Sequence, residues 1–184
     1  MRQLPALVFG ACRCALPLSD HSAAALAEFL LAARTERSSI RLAELLAEDS
    51  VLLLWTICVA HTREGFKPKT VGDAAEWLAR QVLDILQWPE GDCDAAFSTD
   101  REKWADRVAN AFQVAEIAEI LAGKDGSATA DRAWLRGFLH DASGWLSDCC
   151  HPPMEPPCPF LPDWVGENLS TSDLAAAAVS QAIE

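Results

Sequence analysis

Apolar positions along the chain fall into stripes of three- and four-residue spacing, separated by caps and breakers, as amphipathic helices require. The clearest stripe is Trp134, Leu135, Phe138, Leu139, Ala142, Trp145 and Leu146. It predicts a helix that begins near Thr129 and runs unbroken through Leu135 to Leu146. Upstream, Asp20 caps a helix carrying Ala24, Leu26, Ala27, Leu30 and Leu31, which ends near Arg34. Ser38 or Ser39 opens a shorter one through Ile40, Leu42, Leu45 and Leu46. Asp49 reads as the N-cap of the next, Ser50 to about His61, whose surface is apolar nearly all round and therefore belongs at the centre of the fold.

Gly65, Pro68 and Lys69 interrupt the pattern, and Thr70 with Asp73 makes a capping box for a helix with Val71, Ala74, Ala75, Leu78, Val82, Ile85 and Leu86 inward. Pro89, Glu90 and Gly91 end it. Thr99 with Glu102 forms a second box, followed by Trp104, Val108, Ala111, Phe112, Ala115, Ala118 and Leu121 on a long helix that Gly123 is expected to stop after Ala122 in the left-handed conformation. Past Cys149, Pro152, Pro153, Pro156, Pro157, Pro159 and Pro162 exclude helix interior and central strand, so a strap over the surface is expected before a last alanine-rich helix, Ser172 to Ile183. No segment alternates convincingly as a strand. The expected class is all-α, a multi-helix assembly divided into an N-terminal leader (1–19), a helical domain (20–149) and a Pro-rich strap with a short C-terminal helix (150–184).

Composition narrows the function. A chain of 184 residues with 51% hydrophobic content can build a real core. Its net charge of −12, from 27 acidic and 15 basic residues, argues against a phosphate-backbone partner, so no nucleic-acid role is expected. The longest apolar run, Val51 to Ala60, is far below the roughly 18–20 residues of a membrane span, so no membrane association is expected either. Arg2 followed by Leu4 to Ala11 and Cys12 imitates an export signal, but the run is short, holds Pro5 and meets Arg13 at once. Seven cysteines in irregular spacing suit reduced thiols, which makes the cytoplasm the expected compartment.

Three groups of residues have candidate chemistry. His140 and Asp141 lie beside the apolar stripe, either as metal ligands or as polar residues tied to neighbouring helices by hydrogen bonds; the second reading is preferred. Cys149, Cys150, His151 and Cys158 form a cluster of ligand types that Cys12, Cys14 and His21 could complete, yet its spacing matches no zinc pattern, and incidental thiols are the simpler reading. His61 sits at the end of the most apolar helix, where a helix C-terminus favours positive charge. After it, Arg63, Phe66, Lys67 and Lys69 are the candidate recognition loop, since loops on rigid helices often carry binding residues. No nucleophile arrangement or phosphate-cradling glycine loop is present, and no cofactor is expected. Trp164, isolated after Pro162, is read as an anchor for the tail.

Three stretches, Leu42-Ala-Glu-Leu-Leu-Ala-Glu-Asp-Ser-Val-Leu-Leu-Leu-Trp, Thr70-Val-Gly-Asp-Ala-Ala-Glu-Trp-Leu, and Trp104 to Ala118 followed by Phe138-Leu-His-Asp, give the chain, from about Leu26 to Leu146, an element order that resembles the HDOD family, non-catalytic relatives of the HD-domain metal phosphohydrolases. The resemblance implies an HD-like helical bundle in a bacterial signalling protein that regulates a partner domain by protein–protein contact. It also implies where a metal would sit in a catalytic relative: a first histidine, the His-Asp doublet and a later aspartate hold one or two divalent ions. Here Asp106 stands where that first histidine would be, two residues after Trp104, and the later aspartate has no counterpart. Asp106, His140 and Asp141 are thus an incomplete ligand set for activating water. A regulatory domain without catalysis is the expected function; the alternative is a divergent metal-dependent phosphohydrolase acting on a nucleotide or phosphate ester.

Overall fold

The computed structural model describes residues 7–9, 12–14, 16, 22, 24, 26–28, 39–86, 101–125, 130–151 and 160–162. Helix α1, Ser39–Glu48, buries Leu42 and Leu46 one turn apart, whereas Ile40, expected on the same stripe, is 72% exposed. Asp49 alone joins it to α2, Ser50–Glu64. Its N–H still bonds Leu45 O at 3.0 Å, but its backbone is extended and its carboxylate accepts the Leu52 N–H at 2.9 Å, so one residue both ends α1 and caps α2. Every residue from Leu52 to Ala60 is buried. Two hydroxyls inside α2 are satisfied along its own backbone: Thr56 Oγ1 donates to Leu52 O at 2.7 Å and Thr62 Oγ1 to Cys58 O at 2.8 Å. As its all-round apolar surface requires, α2 is the central helix.

Helix α3, Val71–Leu86, starts at the expected box: Asp73 N–H donates to Thr70 Oγ1 at 3.0 Å while Asp73 Oδ2 accepts from the backbone of Lys69 and Thr70 at 2.9 and 3.1 Å. It packs on α1 and α2 through Ala74, Ala75, Trp77 and Leu78. Helix α4, Arg101–Asp125, lies along α5, Ala130–Phe138. The predicted stop at Gly123 is corrected: the helix continues to Asp125, and Gly65 is the sole described residue with positive φ. With nothing within 4 Å of a Cβ built on it, Gly123 is a helical glycine rather than a terminator. The Thr99 end of the second capping box, Trp164, and the helices expected to reach Arg34 and Ile183 extend into, or lie wholly among, residues outside those described. Ser22, Ala24 and Leu26–Glu28 are helical.

The contact of α4 with α5 is made by small residues. Ala111, Ala115 and Ala118 form its buried strip, and opposite them a Cβ on Gly137 would fall 2.8 Å from Ala115 Cα, 2.8 Å from Val114 O and 3.0 Å from Ala118 Cβ. Only a glycine admits that approach. Beside it, rings interlock: Trp134 stacks on Phe138 (centroids 5.4 Å, 4°), Phe112 meets Phe138 at 5.4 Å, and Phe138 stands at 89° to Trp145, which meets Trp104 edge-on at 5.7 Å. These rings bind α4 and α5 to α6, Ala142–Cys149.

The unbroken helix predicted through Leu135–Leu146 is therefore two helices. Between α5 and α6, Leu139, His140 and Asp141 form a turn, with bonds from His140 N to Gly137 O at 3.4 Å and from Ala142 N to Leu139 O at 3.1 Å that are one residue shorter in span than α-helical ones. Leu139 and Ala142 are nonetheless buried like the rest of the stripe.

Three short strands are present although no segment alternates convincingly as one. Strand β1, Leu7–Phe9, pairs antiparallel with β2, Cys12–Cys14, and β2 with β3, Cys150–His151, in the order β1-β2-β3. The class remains all-α, with this small ribbon joining residues 7–14 to residues 150–151; β1 rests on α2. Leu7, Cys14 and Leu16 from the leader, and Phe160 and Leu161 from the strap, belong to the core. Among the described residues no helix is long and apolar enough to cross a membrane.

Candidate functional site

The segment after α2 is held more firmly than a loop needs to be. Gly65 closes the helix in the left-handed region (φ 62°), its N–H bonding His61 O at 2.9 Å, and the Phe66 N–H reaches back to Ala60 O at 3.1 Å. Just before it, the Glu64 carboxylate takes both Trp77 Nε1–H and Gln81 Nε2–H of α3, each at 2.7 Å. At the far end Asp73 holds the Lys69 and Thr70 amides. Pro68 is buried and Phe66 half-buried, while Lys67 and Lys69 are exposed on this segment, anchored at both ends; Arg63, predicted in the same loop, is instead an exposed residue of the last turn of α2. Partial burial pulls the Arg63 guanidinium below its ordinary pKa, but an arginine so displaced stays charged near neutrality. The predicted loop residues thus share one short cationic edge on a chain of net charge −12. Glu64 and Trp77, which fix that edge, are not marked out by any sequence motif. Their signal is weak: a carboxylate ending a helix and a tryptophan off the main stripe of the next.

His140 and Asp141 occupy the α5–α6 turn, both half-buried. His140 Nδ1 lies 2.8 Å from Gly137 O, and since a carbonyl only accepts, that nitrogen carries a proton. Asp141 immediately precedes α6, its carboxylate against the first turn: a Cβ on Gly144 would stand 2.8 Å from Asp141 Oδ1. A negative group at that position is favoured by the helix dipole. The doublet thus sits at the joint between two helices, with His140 bonded to the end of its own preceding helix rather than to a neighbouring one. Asp106, the third residue of the implied ligand set, is exposed on α4, two positions beyond half-buried Trp104. Among the described residues no three of the His, Cys, Asp and Glu side chains assemble in a way that could hold a metal ion. His61 is half-buried in the last turn of α2, and its carbonyl takes the Gly65 cap.

Of the cysteine-rich residues, β2 and β3 bring two groups side by side: Arg13 is the register partner of His151, and Cys14 of Cys150. Cys158 and His21 lie outside the described residues. Cys14 and Cys58 are buried thiols.

No family model, curated protein or solved structure matches the chain.

Proposed function

We propose that the chain is a non-catalytic, HDOD-like regulatory domain of the bacterial cytoplasm that contacts a signalling protein or domain through the edge formed by Arg63, Phe66, Lys67 and Lys69. The observation that carries this reading is the double anchoring of that edge. Ordering a loop on binding costs entropy, and a segment already fixed by the Gly65 cap, the Glu64 bridge and the Thr70–Asp73 box has met that cost during folding. Its charges suit an acidic patch on the partner, which would steer encounter and fix register more than it would add affinity. In this reading the HD-like bundle is a scaffold on which His140 and Asp141 serve the α5–α6 joint rather than chemistry.

The test places a photo-crosslinking amino acid at Lys67 or at Asp106 and irradiates the protein in its native host. A single signalling protein captured from position 67 and absent from position 106 supports the proposal. Capture from 106 alone refutes it.

The adjacency of half-buried His140 and Asp141 at the α5–α6 turn is what a second reading rests on, a divergent metal-dependent phosphohydrolase acting on a nucleotide or phosphate ester. Turnover of a phosphodiester or nucleotide panel with manganese, abolished by Asp141→Ala, is the result that reading needs.

A further inference from the structure

Antiparallel pairing puts successive residues of a strand on opposite faces and directly paired residues on the same face. In the ribbon, Leu7, Cys14 and Cys150 are successive register partners across all three strands, so they form one row on one face, while Arg13 and His151 belong to the other. Leu7 and Cys14 are both buried, which identifies that face as the one turned to the core. A zinc centre using His151 together with Cys14 and Cys150 would have to draw donors from both faces of a two-residue strand. A disulfide needs only the row.

Directly opposed residues in an antiparallel ladder have Cα atoms about 4.5 or 5.5 Å apart, depending on the pair type. Both values lie inside the roughly 4.4–6.8 Å span that a disulfide bridges. Cys12 shares the face but is the partner of Phe9, two pairs further along, and diagonal neighbours stand about 7–8 Å apart. Cys149 is the last residue of α6. We infer that Cys14 and Cys150 are a cross-strand redox pair whose oxidation staples the N-terminal ribbon to the end of α6, the helix that begins at the His140–Asp141 turn.

The chemistry is thiol–disulfide exchange with a low-molecular-weight disulfide as oxidant. Cys14 is fully buried and takes the resolving role, so the attacking thiol of the proposed exchange is that of Cys150. Its thiolate attacks one sulfur of the small disulfide, forming a mixed disulfide and releasing one small thiolate. The Cys14 thiolate then attacks the Cys150 sulfur of that bond and expels the second. Two electrons pass from the protein to the oxidant, and the two protons lost by the cysteines go to the departing thiolates. Strands of two and three residues are weak on their own, which is where a covalent tie has most to add.

The test uses the full wild-type chain incubated with oxidised glutathione, alkylated, digested with trypsin and mapped by mass spectrometry without reduction. Cleavage after Arg13 separates Cys12 from Cys14, while the tryptic peptide that begins at Gly137 carries Cys149, Cys150 and Cys158, so the variants below assign which of its thiols is linked to the peptide beginning at Cys14. The proposal expects that pair, its loss in Cys14→Ala and in Cys150→Ser, its retention in Cys149→Ser, and a thermal midpoint several degrees higher when oxidised than when reduced. A link that survives Cys150→Ser, one made through Cys12, or no link in the wild type overturns it. So does alkylation of these thiols in the reduced protein that speeds up only when a chelator is added, which marks a metal centre instead.

Discussion

Adding one methyl group at Gly137 tests the packing on which the His140 turn rests. Its Cβ would stand 2.8 Å from Ala115 Cα and from Val114 O, both backbone atoms that cannot swing away, so α4 and α5 would separate by about half an ångström to reach ordinary contact. Overpacking of this kind costs about 1–3 kcal/mol, against which alanine's better helix propensity returns nearly 1 kcal/mol. Gly137→Ala should therefore lose up to about 2 kcal/mol. Gly123→Ala is the matched control: the same substitution in α4 with nothing within 4 Å of the new methyl, which should gain up to about 1 kcal/mol. Urea unfolding followed by tryptophan fluorescence and by far-ultraviolet circular dichroism gives both values. Because propensity cancels between the two variants, their difference isolates the steric term. If Gly137→Ala proves as stable as Gly123→Ala, the close approach of the two helices is wrong, and with it the account of what positions the turn.

Three further outcomes follow from the same packing. Glu64→Ala leaves the indole N–H of buried Trp77 without its acceptor and should cost about 1–2 kcal/mol, with faster amide exchange across 65–69, whereas Glu64→Gln, which keeps one acceptor, should lose less. Asp49→Ala removes the cap on the Leu52 amide and should cost about 0.5–2 kcal/mol in a thermal melt. Trp145 Nε1 is buried without a hydrogen-bond partner, so Trp145→Phe sheds an unmet donor along with some ring volume and should stay within about 1 kcal/mol of the wild type, against about 3–5 kcal/mol lost in Trp145→Ala.

How far the sequence could be read depended on the range of the interaction. The Asp49 cap and the Thr70–Asp73 box are local, and both form as their residues indicate. The all-round apolar run of α2 likewise announced a central helix. The break at Leu139–Asp141 was invisible because the turn preserves the inward face: Leu139 and Ala142 stay buried on either side of it, so hydrophobic spacing continues through a change of backbone. Gly123 and Gly137 look alike as punctuation, and only the neighbouring helix separates an empty site from a contact that excludes a side chain. Strands of two and three residues are too short for alternation to register. The bridge from Glu64 to Trp77 and Gln81 spans 13 and 17 residues, beyond any local signal, although the four loop residues it supports were named from their chemistry alone.

Affinity is the quantity closest to the proposal that this domain works by contact rather than by turnover. Isothermal titration of the crosslinked partner, purified, against the wild type, the Lys67→Glu/Lys69→Glu double variant and the His140→Ala/Asp141→Ala double variant, each at low and high salt, compares the two sites directly. The account predicts that charge reversal on the loop weakens binding at least about tenfold and removes most of its salt dependence, while the doublet variant, once shown to be folded, binds as the wild type does. Loss of binding in the doublet variant with the loop variant unchanged would contradict it.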